Sequence, residues 1–178
     1  ECVDQECTAE LLVDGKITDH NGDCISLAVA GDQLFWTTGG DSAVYRTGTD
    51  GSGKVMFDVP PSVPMEAATR IVADMTASPP VVYFTDYAGR TVGRLPVTGG
   101  DVEVFATVPD QGNQARYGNI VVHGDFVYWA MQRENLDANA GKDIWRAKRQ
   151  AIGAAAVTAE RVIANDRPLA LVADDVYL

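Results

Sequence analysis

The sequence has no long hydrophobic run and few basic residues. No stretch of its 178 residues approaches the ~18 consecutive apolar residues that a membrane-spanning helix needs. Lysine and arginine together number 14, against 25 aspartate and glutamate residues, and the formal net charge is −11. Such a charge repels phosphate backbones and anionic headgroups, so we expect neither nucleic acid as a partner nor insertion into a membrane.

Side chains that commonly carry catalysis are scarce. Only two histidines are present, and no serine lies in the Gly-x-Ser-x-Gly motif of a nucleophile elbow. His123 precedes the turn Gly124-Asp125. As a general base it needs a nucleophile or a metal, and neither lies near it in the sequence. We therefore interpret His123 as a candidate channel or surface residue.

All three cysteines, Cys2, Cys7 and Cys24, lie near the beginning of the sequence. This clustering indicates a disulfide in an oxidising compartment. A zinc site is the alternative, although the histidine spacing matches no zinc ligand pattern. Three pairings are open, and we predict Cys7 with Cys24 because they flank a turn-rich segment, residues 14–23, with little else to hold it. Cys2 is then left for another partner.

Short aromatic runs repeat along the chain. Their first aromatic residues, Phe35, Tyr83, Tyr128 and Tyr177, follow one another at intervals of 48, 45 and 49 residues. Each run follows another β-rich run, and Gly-Asp turns predict hairpins between some of them. Two more β-rich runs follow each complete aromatic run within the same unit. Four strands in a repeat of roughly 40 to 50 residues are typical of a propeller blade, and a sandwich or barrel is the alternative.

We therefore predict an all-β fold, a β-propeller of four-stranded antiparallel blades. The chain would supply about three and a half blades of a larger ring of six or seven. Residues 1–24 form a Cys-containing segment with a candidate ring-closing strand at residues 11–13, and residues 25–178 form the blades. The blade ranges are 25–59, 69–107, 119–164 and a partial 168–178.

An open array of blades leaves unpaired backbone groups and exposed aromatic faces at its ends. The sequence also ends within the second β-rich run of the fourth unit, after one complete run and a turn. We therefore expect a second polypeptide to complete the ring, either the rest of the same precursor or a partner chain.

One motif resembles a known family. Tyr83-Phe84-Thr85-Asp86 resembles the Tyr-Trp-Thr-Asp motif of low-density-lipoprotein-receptor-type propellers, and the runs that begin at Phe35 and Tyr128 are partial copies. The chain also resembles secreted bacterial propellers in which a Cys-containing segment leads into such blades. The resemblance covers about residues 25–178 and implies a secreted, periplasmic or cell-surface protein. It also implies that Asp86 ties neighbouring blades together.

Three arginines recur at one position of the repeat. Arg46, Arg94 and Arg146 each lie in the third β-rich run of a unit. An arginine in every blade is explained most simply by hydrogen bonds to carbonyls or carboxylates of a neighbouring blade. We therefore predict a structural inter-blade role for all three, with Asp86 as a partner that the family resemblance implies.

The third unit has an enlarged loop at residues 131–142. Asp137, Asn139 and Asp143 place oxygen atoms at alternate positions, as calcium loops do. The segment lacks the glycine and glutamate positions of an EF-hand. Calcium is therefore a candidate cofactor at these three residues, and a solvated polar loop is the alternative.

Two functions from different classes fit these observations. The leading hypothesis is a secreted or cell-surface binding or scaffold module for a protein or another extracellular ligand. The alternative is a propeller enzyme, a hydrolase or lyase with its site at the central channel, completed by blades outside this chain. A structural role as one half of a larger assembly is a third reading. The motifs are stronger evidence for the propeller fold than for any binding or catalytic activity.

The predicted disulfide has a direct test. In a digest of the unreduced protein, we expect mass spectrometry to find one peptide pair that joins Cys7 to Cys24, because the turn-rich residues 14–23 between them have little else to hold them. Alkylation of both residues as free thiols without prior reduction would contradict the prediction.

Overall fold

The computed structural model describes residues 2–3, 6–7, 24–38, 43–86, 91–109, 115–133, 142–164 and 171. In these ranges every regular element is a strand, and none forms a helix with the length and hydropathy that crossing a bilayer requires. The strands are β1 (Cys2–Val3), β2 (Glu6–Cys7), β3 (Cys24–Ala30), β4 (Gln33–Thr38), β5 (Ala43–Gly48), β6 (Val55–Asp58), β7 (Ala68–Asp74), β8 (Val81–Asp86), β9 (Thr91–Pro96), β10 (Glu103–Thr107), β11 (Ala115–His123), β12 (Phe126–Arg133), β13 (Lys142–Lys148), β14 (Val157–Thr158) and β15 (Glu160–Ile163).

Three antiparallel sheets follow one another along the chain. Blade 1 has the strand order β3-β4-β5-β6, blade 2 has β7-β8-β9-β10, and blade 3 has β11-β12-β13-β15. Each neighbouring pair within a blade is antiparallel. These sheets are the four-stranded blades that the repeat predicts.

The first hairpin of blades 1 and 3 is a tight turn built on glycine. Gly31 and Gly124 have φ values of 65° and 53°, a left-handed conformation that glycine adopts without a steric penalty. In blade 2 the corresponding link between β7 and β8 is longer and spans residues 75–80. That link has no glycine.

Blade 2 lies between the other two blades and buries both of its faces. Because side chains alternate along a strand, Phe84 and Leu95 pack with blade 1, whereas Tyr83 and Phe105 pack with blade 3. Trp129 of blade 3 is fully buried against this second face. The aromatic residues of the repeat therefore form the cores between blades.

One strand crosses from blade 3 to blade 2. Val157 and Thr158 of β14 pair in parallel with Ala106 and Thr107 of β10, which gives the sheet of blade 2 a fifth strand. The amide of Ala159 donates to the carbonyl of Thr107 over 2.8 Å. The sequence pattern did not predict this pairing. It satisfies backbone groups that the edge of β10 would otherwise expose.

The predicted enlarged loop is shorter than expected. Strand β12 continues to Arg133 and β13 begins at Lys142, with Met131 opposite Asp143 in the ladder. Residues 134–141 lie outside the described part of the chain. The candidate ring-closing strand at residues 11–13 also lies outside it, as does the partial fourth blade except for Leu171.

The two short strands at the beginning of the chain contain two of the cysteines. In the β1–β2 ladder, Cys2 lies opposite Cys7. The side chains of both residues, and that of Cys24, lie outside the described part of the structure. The disulfide between Cys7 and Cys24 therefore stays a prediction.

Candidate functional site

The third strand of each blade carries an arginine at the same position of the ladder. Arg46, Arg94 and Arg146 each lie opposite the first aromatic residue of the repeat in their own blade. Residues directly opposite in a ladder project on the same side of the sheet. The three arginines therefore project from their blades toward the position of the next blade along the chain.

Arg46 connects blade 1 to blade 2. Its Nη1 donates to the carbonyl of Val97, in the turn after β9, over 3.1 Å. Its guanidinium carbon lies 5.2 Å from the centre of the Phe57 ring. A Cβ added at Gly99 of the same turn would lie 3.3 Å from both Arg46 Nη1 and the ring. Glycine therefore permits the close approach of this turn to blade 1.

Arg94 connects blade 2 to blade 3 and has no exposed side-chain surface. Its Nε and Nη2 lie 2.9 and 2.8 Å from the Glu103 carboxylate. Its Nη1 donates to the carbonyl of Gln150 over 3.2 Å, and Nη2 donates to that of Ala154 over 2.7 Å. Glu103 also accepts from the amide of Gly153. Carboxylate and carbonyls together satisfy a charge that would be costly to bury alone.

Arg146 has different surroundings, because the described part of the chain contains no blade beyond blade 3. Its side chain is one-third exposed and forms an ion pair with Glu160 of its own blade. The guanidinium carbon lies 4.4 Å from the centre of the Phe126 ring. Hydrogen bonds with Glu160 and Tyr128 raise the pKa of the guanidinium. These contacts of Arg146 are all with residues of its own blade.

Asp86 ends the aromatic motif of blade 2 and is fully buried. Its Oδ1 accepts hydrogen bonds from the amides of Glu66 and Ala67, each over 2.8 Å. These amides lie in the segment that leads from blade 1 into β7. Asp86 therefore fixes the chain at the point where it passes from one blade to the next.

The face of blade 1 that points away from blade 2 is apolar. The ladder places Leu27, Trp36, Tyr45 and Met56 side by side on this surface. Trp36 and Tyr45 are stacked, with ring centres 5.4 Å apart, and both are buried. Leu27 and Met56 are exposed, as is Val29 on the same face. We call this surface the open face of blade 1.

Blade 3 has a corresponding surface on its side away from blade 2. Tyr128, Ala130, Ile144 and Leu171 form a buried cluster there, against which Phe126 and two further apolar side chains pack. We call this surface, which Leu171 from the segment after β15 partly covers, together with Arg146, the open face of blade 3. The two open faces lie at opposite ends of the array of three blades.

An ion pair between Arg149 and Asp74 joins blades 2 and 3, and it was not predicted from the sequence. Arg149 Nη1 lies 2.8 Å from Asp74 Oδ2 and donates to Thr76 Oγ1 over 2.7 Å. Burial disfavours the charge of Asp74, but hydrogen bonds from Arg149 and Thr76 outweigh burial and hold its carboxyl pKa below the usual value. The sequence did contain one sign of this contact, which is the absence of a Gly-Asp turn between β7 and β8. The longer link in its place contains Thr76, which accepts a hydrogen bond from Arg149.

Two of the remaining candidate residues, His123 and Asp143, are described, and both lie in blade 3. His123 ends β11, opposite Phe126, and is half-buried. Asp143 is buried, and its carboxylate lies 3.6 Å from Arg161. Asp137 and Asn139 lie outside the described residues, so calcium binding stays a prediction. Among the residues that are described, no three His, Cys, Asp or Glu side chains are grouped to hold a metal.

No family model and no curated protein matches the sequence. Among solved structures, the chain is similar to one from a nidogen/laminin complex, with a TM-score of 0.57 and 15% identity over 82% of this chain and 50% of that one. It is also similar to the extracellular domain of a hybrid two-component system protein from B. thetaiotaomicron, with a TM-score of 0.53 and 14% identity over 75% of this chain and 16% of that one. This chain therefore spans half or less of each of these proteins. The three antiparallel blades and these similarities confirm the predicted fold class, an all-β propeller.

The contacts of Arg94 predict that replacing it lowers the free energy of unfolding more than replacing Arg146, the equivalent arginine of blade 3. Replacing Arg94 by Met leaves Glu103 and two carbonyls without their cation, so we expect the free energy of unfolding to fall by about 2–4 kcal/mol. Arg146→Met, at the same position of blade 3 but partly exposed, is the matched control and should cost about 1 kcal/mol or less. Urea denaturation at neutral pH measures both values, and equal losses would contradict the prediction.

The Asp74 carboxyl predicts a dependence of stability on pH. Because folding lowers its pKa, the ion pair adds stability above about pH 4, the range of an unpaired carboxyl, and this stability is lost as pH falls through the lower folded value. We expect Asp74→Asn to lower the free energy of unfolding by about 1–3 kcal/mol at pH 7 and by less at pH 3.

Urea denaturation of wild type and variant at both pH values provides the comparison. Combining Asp74→Asn with Arg149→Met should cost less than the sum of the two single changes, because they remove one shared contact. A loss that is the same at pH 3 and pH 7 would show that the Asp74 charge does not stabilise the fold.

Proposed function

We propose that this chain is an extracellular binding and scaffold module, a β-propeller of the low-density-lipoprotein-receptor type. Its open faces pack against further blades, supplied by the rest of the same precursor or by a partner chain. The completed ring then binds a protein or another extracellular ligand. A location outside the cytoplasm, in the periplasm or at the cell surface, belongs to this proposal.

The observation that carries the proposal is the repetition of the arginine contacts. Arg46 and Arg94 each donate to backbone carbonyls in a turn of the following blade. Arg146 has the same ladder position, yet it lies on the open face of blade 3. A further blade placed there would offer its own turn carbonyls to Arg146, as blades 2 and 3 do for the first two arginines.

The open face of blade 1 supports the same arrangement at the other end. Leu27, Val29 and Met56 are 56%, 59% and 51% exposed. A cluster of exposed apolar side chains on one surface marks a site of protein contact. A preceding blade would cover these side chains in the way that blade 1 covers Phe84 and Leu95 of blade 2.

The similar structures suggest the kind of function. One belongs to a complex of nidogen with laminin, and the other is an extracellular domain. Both likenesses concern the fold, so their bearing on function is by analogy. The motif that begins at Tyr83 and the three cysteines support the same extracellular setting.

The proposal predicts that the isolated chain associates through its open faces. In sedimentation velocity over a range of concentrations, we expect species larger than the 19.0 kDa monomer. The double variant Leu27→Asp/Val29→Asp should shift the distribution toward monomer, because it places two charges on the open face of blade 1.

Met75→Asp is the matched control. Met75 is also an exposed apolar residue, but it lies in the link between β7 and β8 and not on an open face. Its replacement should leave association unchanged. A wild-type chain that stays monomeric at every concentration and melts cooperatively would contradict the proposed packing of further blades.

A further inference from the structure

A cleft of about 300 Å³ lies between blades 2 and 3. One wall is formed by residues 76–79, in the long link between β7 and β8, and the other by residues 148–152, at the end of β13 and the turn that follows. Val81, Tyr83 and Asp125 complete the lining. The cleft is separate from both open faces, because its residues lie where the two blades meet.

The most unusual group in the lining is the hydroxyl of Tyr83. The residue has no exposed surface, and its hydroxyl oxygen has no hydrogen-bond partner in the structure. Burial raises the pKa of Tyr83 to about 12, so the hydroxyl keeps its proton at neutral pH. A buried hydroxyl without a partner costs free energy, which a ligand that bonds to it would recover.

Packing between blades does not require that hydroxyl. The equivalent residue of blade 1 is Phe35, which lies opposite Arg46 as Tyr83 lies opposite Arg94. Phe35 is also fully buried between blades. The aromatic ring is therefore sufficient for the core. Tyr128, the equivalent residue of blade 3, also has a hydroxyl, but that hydroxyl bonds to Arg146, whereas the Tyr83 hydroxyl lies at the contact that contains the cleft.

The rest of the lining combines carbon surface with hydroxyl groups. Ala77, Pro79 and Ile152 supply apolar contact, while Thr76 and Ser78 supply hydroxyls. The link that contributes residues 76–79 is largely exposed to solvent. Because the Tyr83 hydroxyl has no exposed surface, a ligand must displace a lining side chain to reach it.

The charges around the cleft are balanced. Lys148 and Asp125 contribute one charge of each sign, and Arg149 is paired with Asp74. An anion or a cation would therefore meet no excess of opposite charge. We propose that the cleft binds a small uncharged molecule with several hydroxyl groups, such as a single sugar ring, and that Tyr83 donates a hydrogen bond to it.

The size of the cleft agrees with this class of ligand. A volume of about 300 Å³ corresponds to roughly ten water molecules at ~30 Å³ each, enough for one sugar ring. It lies at the lower end of the range for small-molecule sites in proteins. The lining offers both apolar carbon atoms and hydrogen-bonding groups, which match the C–H surfaces and the hydroxyl groups of a sugar ring.

Saturation-transfer NMR on the full chain tests the proposal. The probes are glucose, galactose, mannose and myo-inositol, with acetate and ethylammonium as charged comparisons. We expect transfer to at least one of the uncharged probes and none to the charged ones. Tyr83→Phe should weaken that binding by about tenfold, while the fold is retained because phenylalanine occupies the same position in blade 1.

Two variants separate binding from stability. Tyr128→Phe removes the equivalent hydroxyl from the open face of blade 3 and should leave sugar binding unchanged. Ala151→Trp, at an exposed residue of the lining, should abolish binding by filling the cleft without altering the core.

The proposal is overturned if no uncharged probe shows transfer, if a charged probe binds in preference, or if Tyr83→Phe binds as well as the wild type. These outcomes are distinguishable from failure of the proposed function. Association through the open faces is measured separately, and the Tyr83 and Ala151 variants leave those faces intact.

Discussion

The buried guanidinium of Arg94 is the contact on which the arrangement of blades 2 and 3 depends. A charge without exposed surface needs full compensation, and Glu103 together with the carbonyls of Gln150 and Ala154 supplies it. This requirement holds the turn after β13 against blade 2. The same turn leads into β14, which pairs with the edge of β10, and it forms one wall of the cleft. The turn that Arg94 holds thus leads into the fifth strand and lines the cleft.

The fold was predictable because its signals are local and repeated. The aromatic residue of each unit and the glycine turns at Gly31 and Gly124 predict hairpins, and their regular spacing predicts blades. The parallel pairing of Val157 and Thr158 with β10 was not predictable in this way. It depends on an edge strand more than 50 residues earlier in the chain, and no local pattern in an alanine-rich turn encodes it.

The candidate sites were predictable only in part, for the same physical reason. The recurring arginines were recognised as a set, since they share one position of the repeat. The environment of Arg146 differs from that of Arg94 because of what lies beyond each blade, and the repeat does not contain this information. The pair formed by Asp74 and Arg149 joins residues that are 75 positions apart, and neither belongs to a recurring motif.

Hydrogen exchange at single amides tests the central role of Arg94 most directly. The amide of Gly153 donates to Glu103 and that of Ala159 donates to Thr107 of blade 2, so both report on the turn that the guanidinium holds. In Arg94→Met, both amides should exchange much faster than in the wild type, whereas the Thr49 amide in blade 1 should be unchanged. Unchanged exchange at Gly153 and Ala159 would contradict the account.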